Sequence, residues 1–116
     1  MRAPFKSGIT AGTTGANYAE ALRVDTRGCG IQGKLLALIN NTMAATTPMY
    51  YKIDGYPADV DGTAGGKSVA IKSETSIAAN TQVVSVDVDK PYAAVVISVK
   101  SNGSTPATWQ IDHCTY

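Results

Sequence analysis

Residues 91–101 constrain the fold most, because they form the longest strongly β-prone run in the chain. Side chains alternate between the two faces of a strand, so this run divides into two sets. The first face is apolar, with Ala93, Val95, Ile97 and Val99; the second is mixed, with Tyr92, Ala94, Val96, Ser98 and Lys100. We predict a central strand with one face in the core. We expect the other face to be covered by a neighbouring subunit or by the protein's own N-terminal arm.

Shorter β-prone runs recur at intervals of about eight to twelve residues, and no segment sustains a helical period. The predicted strands are residues 18–25, 34–41, 48–55, 69–71, 84–88 and 108–115. For the first of these, two helical turns over residues 16–23 are the alternative. The runs predict an all-β fold, an antiparallel β-sandwich of about seven or eight short strands, either immunoglobulin-like or jelly-roll.

The same alternation predicts inward side chains in two other strands. They are Met49, Tyr51 and Ile53 in one strand and Trp109 and Ile111 in the last. Residues 34–41 are almost continuously apolar, which predicts a strand covered on both faces. Asn102-Gly103 is a strong turn signal and predicts a connection of hairpin length before the last strand. Residues 56–67 are rich in turn formers and form the main predicted loop.

The 116 residues are enough for one domain with its own core. Residues 1–16 contain three glycines, three threonines and a proline without any sustained period, and they predict an extended N-terminal arm. Residues 17–116 form the predicted sandwich domain. The arm either binds a neighbouring subunit or packs along its own domain. Its anchors in the first case are a cation and two apolar side chains, Arg2, Pro4 and Phe5.

The surface is expected to be polar but weakly charged, because charged residues make up 16% of the chain against about 25% in typical soluble domains. The net charge of +1 and the scattered lysines and arginines argue against nucleic acid or an anionic membrane as partner. No run of 18 apolar residues and no signal-peptide pattern is present, so we expect a protein made without export.

Two patterns resemble ligand-binding motifs but do not meet their requirements. Residues 66–68, Gly-Lys-Ser, match the tail of a phosphate-binding loop, but Asp61 stands where the motif needs a glycine. Asp54, Asp59 and Asp61 could approach a cation, yet Pro57 occupies the first ligand position of a calcium loop. We therefore predict no metal ion and no cofactor.

Catalytic candidates are few. His113 is the only histidine, and its neighbour Cys114 should point to the opposite face of the strand, so the two cannot converge on one atom. We expect His113 to be a hydrogen-bonded residue at the core margin. Cys29 and Cys114 are expected to be buried free thiols, with a disulfide between them as the alternative. We predict that the protein is not an enzyme.

Binding residues are more plausible in the main loop, since long loops of a sandwich often carry ligand sites. Tyr56, Asp59 and Asp61 are the candidates there. With other exposed tyrosines such as Tyr50 they could recognise a carbohydrate or a protein. Tyrosines in a sandwich more often serve the core or an interface.

Three segments carry a resemblance to a known group of proteins: residues 34–42 (Lys-Leu-Leu-Ala-Leu-Ile-Asn-Asn-Thr), 50–55 (Tyr-Tyr-Lys-Ile-Asp-Gly) and 92–101 (Tyr-Ala-Ala-Val-Val-Ile-Ser-Val-Lys-Ser). With the Asn-Gly turn and the last strand, they resemble the small β-sandwich virion proteins of tailed bacteriophages. That group has similar size, polar uncharged surfaces and flexible arms.

The resemblance implies a structural, non-enzymatic role in the virion, as a capsid decoration or cement protein that bridges capsid subunits. The implied partners are the major capsid protein or other virion subunits and further copies of this chain. The arm residues would then share the interface with Tyr92, Ala94 and Val96 of the central strand. The alternatives are a head-tail or tail component and a small β-sandwich module that binds a carbohydrate or protein ligand.

Overall fold

The computed structural model describes residues 7–25, 35–42, 48–60, 63–78, 81–88, 92–103 and 106–115. All regular secondary structure in these ranges is β-strand, so the described residues include no helix that could cross a membrane. The strands are β1 (Ser7–Thr14), β2 (Ala19–Val24), β3 (Leu35–Asn41), β4 (Met49–Tyr56), β5 (Ala58–Val60), β6 (Thr63–Gly65), β7 (Val69–Ile77), β8 (Thr81–Val88), β9 (Ala94–Ser101) and β10 (Ala107–Thr115).

The strands form two four-stranded antiparallel sheets and a small hairpin. The first sheet has the order β1-β10-β3-β8, the second has the order β2-β9-β4-β7, and β5 pairs with β6. Apart from β4 and β7, consecutive long strands alternate between the sheets, which is the double Greek-key order of a jelly roll. The predicted all-β sandwich is confirmed, and the strand order selects the jelly roll from the two arrangements left open.

The core lies between the two sheets and is built from the inward side of each strand. Buried and half-buried residues alternate strictly along β3 and β4, and through the first six residues of β10. The largest fully buried apolar side chains are Tyr51, Leu35, Ile39, Met49, Ile53, Ile97, Ile111, Val95 and Val99. The inward positions predicted in β4 and β10 are confirmed. Each such side chain contributes about 1.5–3 kcal/mol to stability through burial.

Two buried side-chain hydrogen bonds supplement the strand pairing, one within the first sheet and one between the two sheets. Trp109 Nε1 donates to Thr14 Oγ1 at 3.0 Å and ties β10 to β1. Asn41 Nδ2 donates to the carbonyl oxygen of Ile77 at 3.0 Å and ties β3 in the first sheet to β7 in the second. Both bonds involve buried side chains, Trp109 with Thr14 in one and Asn41 in the other, whose polar groups need partners away from water.

Strand β9 is the interior strand predicted from the sequence, since it lies between β2 and β4 and is buried on both faces. Residues 34–41 were predicted to be covered on both faces. The described part of that run, β3, is fully buried only on its inner face, and Leu36 and Leu38 on its outer face are half-buried.

Residues 7–14, predicted as part of an extended arm, form β1 at the edge of the first sheet. Their pairing with β10 is continuous from Ser7 opposite Cys114 to Thr14 opposite Ala107. These residues therefore adopt the second of the two expectations for the arm, in which it packs along its own domain. The sequence of β1 shows no clear alternation of apolar and polar residues, because Gly8 and Gly12 occupy two of its inward positions.

Two connections differ from the sequence expectations. Strands β9 and β10 lie in different sheets, so Asn102-Gly103 does not close a hairpin but carries the chain across the sandwich. Gly103 has φ +123, a conformation that side chains other than glycine rarely adopt. The predicted main loop contains the hairpin of β5 and β6, and β7 extends to Ile77, well beyond the short strand predicted at residues 69–71.

Candidate functional site

A group of polar and aromatic side chains lies on the outer face of the second sheet, the face that points away from the core. Its members are Tyr18, Tyr50, Lys52, Glu74 and Lys100, here called the tyrosine–lysine cluster. Tyr50 and Lys52 alternate along β4 with buried residues, so both project outward. Lys100 of β9 lies directly opposite Tyr50 in the antiparallel register.

Tyr18 connects the two edges of this sheet. It precedes β2 at one edge, and its hydroxyl donates to Oε1 of Glu74 in β7 at the other edge, at 2.6 Å. The ring therefore crosses the outer faces of β9 and β4. Lys52 Nζ lies 4.7 Å and Lys100 Nζ lies 4.9 Å from the ring centroid, within the range of cation–π attraction.

Charges within the cluster are paired. Lys100 Nζ lies 2.9 Å from Glu74 Oε1 and 5.5 Å from the centroid of the Tyr50 ring. Lys52 Nζ lies 3.9 Å from Oδ2 of Asp54. Two ammonium groups thus face two carboxylates, and the surface carries no net charge of either sign at this point.

The hydrogen bonds of the cluster also affect the protonation states of Glu74 and Tyr18. The hydroxyl of Tyr18 and the ammonium of Lys100 both stabilise the carboxylate of Glu74 and lower its pKa. Partial burial raises the pKa of Tyr18, and the hydrogen bond to Glu74 raises it further. At neutral pH Glu74 is therefore a charged acceptor, and Tyr18 keeps its proton as a donor.

An open depression of about 320 Å³ adjoins the cluster where β9 ends. Its lining residues are Ala16, Tyr50, Glu74, Lys100, Ser101, Asn102 and Gly103. Tyr50 Oη donates to Oδ1 of Asn102 at 3.3 Å. The depression is thus lined by an aromatic side chain, a carboxylate, an ammonium group and an amide.

The predicted ligand residues of the main loop are not joined to this cluster. Tyr56 lies on the same face of β4 as Tyr50 but six residues further along, a distance of about 20 Å at the rise of an extended strand. Asp59 lies in β5, and its side chain and Asp61 are outside the described part of the structure. Among the described residues, no three histidine, cysteine or acidic side chains are grouped so as to hold a metal ion.

The predicted interface residues of the central strand are covered mainly by the chain itself. Ala94 is 0% exposed and Val96 is 7% exposed within a single copy. Tyr92 is half-buried and its ring lies against Gly55, where an added Cβ would come within 2.7 Å of the ring. The arm residues Arg2, Pro4 and Phe5 lie outside the described residues. The role of these six residues at an interface stays a prediction.

His113 lies at the core margin, as predicted, but its Nδ1 atom is buried and has no hydrogen-bond partner among the described residues. Burial lowers the pKa of the imidazole, and the nearby carboxylate of Asp112 opposes this by attracting the charged form. Cys114 is a free cysteine, and it is half-buried where a buried thiol was expected. Cys29, its possible disulfide partner, lies outside the described residues.

Sequence reasoning identified Tyr50 but not Tyr18, Glu74 or Lys100 as members of a site. Glu74 lies where β7 has an irregular register with β4, between Ile53 and Tyr51, and this bulge is not visible in the sequence. A lysine opposite a tyrosine on neighbouring strands becomes recognisable only when the register of β4 and β9 is known.

The edge strand β1 is a second surface of interest. It carries no charged residue, and its pairing with β10 runs through eight residues without a register shift. The other three sheet edges, β8, β2 and β7, each contain at least one charged residue, and their pairings are interrupted by a register shift. Charges and bulges are the usual devices that prevent an edge from pairing with another chain.

The described residues define a jelly-roll domain with an aromatic, charge-balanced face and with one sheet edge, β1, whose strand carries neither a charge nor a register shift. No family model matches the chain, and no curated protein matches it. Among solved structures, it is similar to the crystal structure of the mitogen derived from Yersinia pseudotuberculosis, with a TM-score of 0.58 and 15% sequence identity. The match covers 96% of this chain and 86% of the mitogen chain, and at this identity it shows a shared fold alone.

Proposed function

We propose that this protein is a structural, non-catalytic component of a tailed-phage virion, a decoration or cement protein that bridges capsid subunits. The sequence resemblance to small phage β-sandwich proteins suggested this role. The jelly roll is compatible with it, because this fold is common among viral capsid proteins and is also used by lectins. In this role the protein stabilises the shell by binding its assembled state in many symmetric copies.

The observation that carries the proposal is the edge strand β1, which in the described part of the structure has neither a charged residue nor a bulge to prevent further pairing. A free edge presents a row of backbone donors and acceptors to which a strand of another subunit can add. Ile9, near the start of this edge, is 71% exposed and points away from the core beside the outer side chains of β10. We infer that a capsid subunit, or a second copy of this chain, pairs with β1 and covers Ile9.

The test is the substitution Ile9→Lys. Because Ile9 is so exposed, the change should leave the free energy of unfolding within about 0.5 kcal/mol of the parent value. A lysine on the edge should nevertheless oppose strand addition and lower binding to capsids by about tenfold or more. Binding is measured by co-sedimentation with capsids from a mutant phage that lacks this protein.

Val69→Lys is the matched control. Val69 is 49% exposed and lies on β7, the edge that already carries Lys72 and Glu74. Its replacement should leave capsid binding unchanged. Equal binding by the parent and the Ile9→Lys protein would contradict the proposed edge, and failure of the parent protein to bind any capsid would contradict the virion role.

A further inference from the structure

The depression beside Tyr50 is shaped by backbone as well as by side chains. The amide N–H of Ser101 donates to the carbonyl oxygen of Gly15 at 2.8 Å, which ties the end of β9 to the loop before β2. The amide N–H of Gly103 donates to Oγ of Ser101 at 3.2 Å and fixes the turn that forms the far rim. The volume of the depression, about 320 Å³, falls at the lower end of the range for small-molecule sites, about 300–1,000 Å³.

The groups around this depression match the surface of a sugar ring. A pyranose has an apolar face of C–H groups and a rim of hydroxyls that both donate and accept hydrogen bonds. Tyr50 supplies an aromatic face. Glu74 supplies acceptor oxygens, Lys100 supplies N–H donors, and the amide of Asn102 is able to do both.

The charges favour a neutral ligand over an ionic one. Lys100 is paired with Glu74 at 2.9 Å, and Lys52 is paired with Asp54 at 3.9 Å. Glu74 and Lys100, the two charged groups that line the depression, form one ion pair, so an anion or a cation would be attracted by one of them and repelled by the other. A polyol makes hydrogen bonds to both kinds of group without breaking either pair.

The donors and acceptors are also held in place before a ligand arrives. Lys100 contacts Glu74 and lies over the rings of Tyr18 and Tyr50, while Glu74 is fixed a second time by the hydroxyl of Tyr18. Ordering long, flexible side chains normally opposes binding, so a network that orders them in the free protein lowers this penalty.

From this combination we propose that the depression bounded by Tyr50, Glu74, Lys100 and Asn102 is a binding site for a neutral carbohydrate, holding one sugar ring against Tyr50. This site goes beyond the proposed structural role and does not depend on it, because β1 lies in the other sheet. A protein on the surface of a particle could use such a site to hold the particle on a polysaccharide.

The experiment is an NMR titration of the ¹⁵N-labelled full chain with the methyl pyranosides of glucose, galactose and mannose and with N-acetylglucosamine. We expect saturable shifts in the millimolar range with at least one of them, centred on the amides of Ser101, Asn102 and Gly103. Inorganic phosphate serves as the ionic comparison and should not produce the same shifts. Shifts with phosphate alone, or no saturable shift with any of the four sugars, would overturn the proposal.

The matched pair of variants is Tyr50→Ala and Tyr56→Ala, at opposite ends of the same face of β4. The first should raise the dissociation constant by about tenfold or more, as loss of a central aromatic contact does, and the second should leave it unchanged. Asn102→Ala, on an exposed turn, gives an independent test if Tyr50→Ala folds poorly. Equal losses from Tyr50→Ala and Tyr56→Ala would also overturn the site. None of these variants lies in β1. A loss of sugar binding can therefore be distinguished from a loss of capsid binding.

Discussion

Tyr18 shows how a single side chain can determine the chemistry of a sheet face. Its ring crosses two strands and lies under two lysines, and its hydroxyl holds Glu74 as a carboxylate. Because the folded pKa of Glu74 is lowered, its contribution to stability is present above its unfolded pKa and is lost as pH falls through the folded value. Through its hydrogen bond to Glu74, Tyr18 therefore affects how the stability of the protein depends on acid pH.

We expect Tyr18→Phe to raise the pKa of Glu74 toward its ordinary value, because the carboxylate loses the hydroxyl donor, while Lys100 and Lys52 still favour its charged form. The pKa is measured by NMR titration of the Glu74 side-chain carboxyl carbon. Tyr50→Phe is the control, since its hydroxyl bonds to Asn102 and not to Glu74. An unchanged pKa in Tyr18→Phe would show that the hydroxyl contributes nothing to the charge state of Glu74.

At the scale of elements, β1 depends on glycine for its place in the sandwich. Gly12 lies opposite Trp109, and a Cβ at that position would lie 2.8 Å from Cζ2 of the indole. The same indole donates to Thr14 two residues later in β1. Any movement of Trp109 to make room for a side chain would therefore also strain the buried hydrogen bond that holds the strand.

Gly12→Ala should accordingly lower the free energy of unfolding by about 1–3 kcal/mol, the usual range for overpacking. Urea denaturation followed by Trp109 fluorescence measures the change. Gly15→Ala is the matched control, because among the described residues no atom outside its two chain neighbours lies within 4 Å of a Cβ at Gly15, and it should change stability by no more than about 0.5 kcal/mol. Equal stability of the two variants would contradict the role given to Gly12.

Element by element, the sequence predicts strands wherever one face is buried and the other is not. Met49, Tyr51 and Ile53 in β4 and Trp109 and Ile111 in β10 show that pattern clearly. The pairing of the strands could not be predicted in the same way. Asn102-Gly103 indicates a turn but does not indicate which sheet the next strand joins. The tyrosine–lysine cluster depends on that pairing, so Tyr50 was the one member that the sequence identified as a binding candidate.

Over the whole molecule, two sheets are held together by a continuous apolar core with few polar groups inside it. His113 is at the margin of this core, with a buried Nδ1 that has no partner in the described part of the chain. Its folded pKa is lowered, so the unfolded chain binds the proton more readily. Stability contributed by neutral His113 is present above the unfolded pKa, about 6.5, and is lost as pH falls below it.

We therefore expect the parent protein to lose stability between pH 7 and about pH 5.5, a range above the titration of most carboxylates. His113→Phe should be less sensitive to pH over this interval, because it has no group to protonate. The midpoint of thermal unfolding, followed by circular dichroism at a series of pH values, measures both proteins. If the unfolding midpoints of the two proteins fell equally with pH, groups other than His113 would be responsible for the loss of stability.

The pairing of Ser7 with Cys114 has a mechanical consequence. The two described ends of the chain lie side by side at one corner of the first sheet, on adjacent antiparallel strands. A force that pulls these ends apart acts across the ladder and not along it, so the backbone bonds of β1 and β10 would open one after another from that corner. Tension on the ends would peel β1 away and leave the second sheet unloaded.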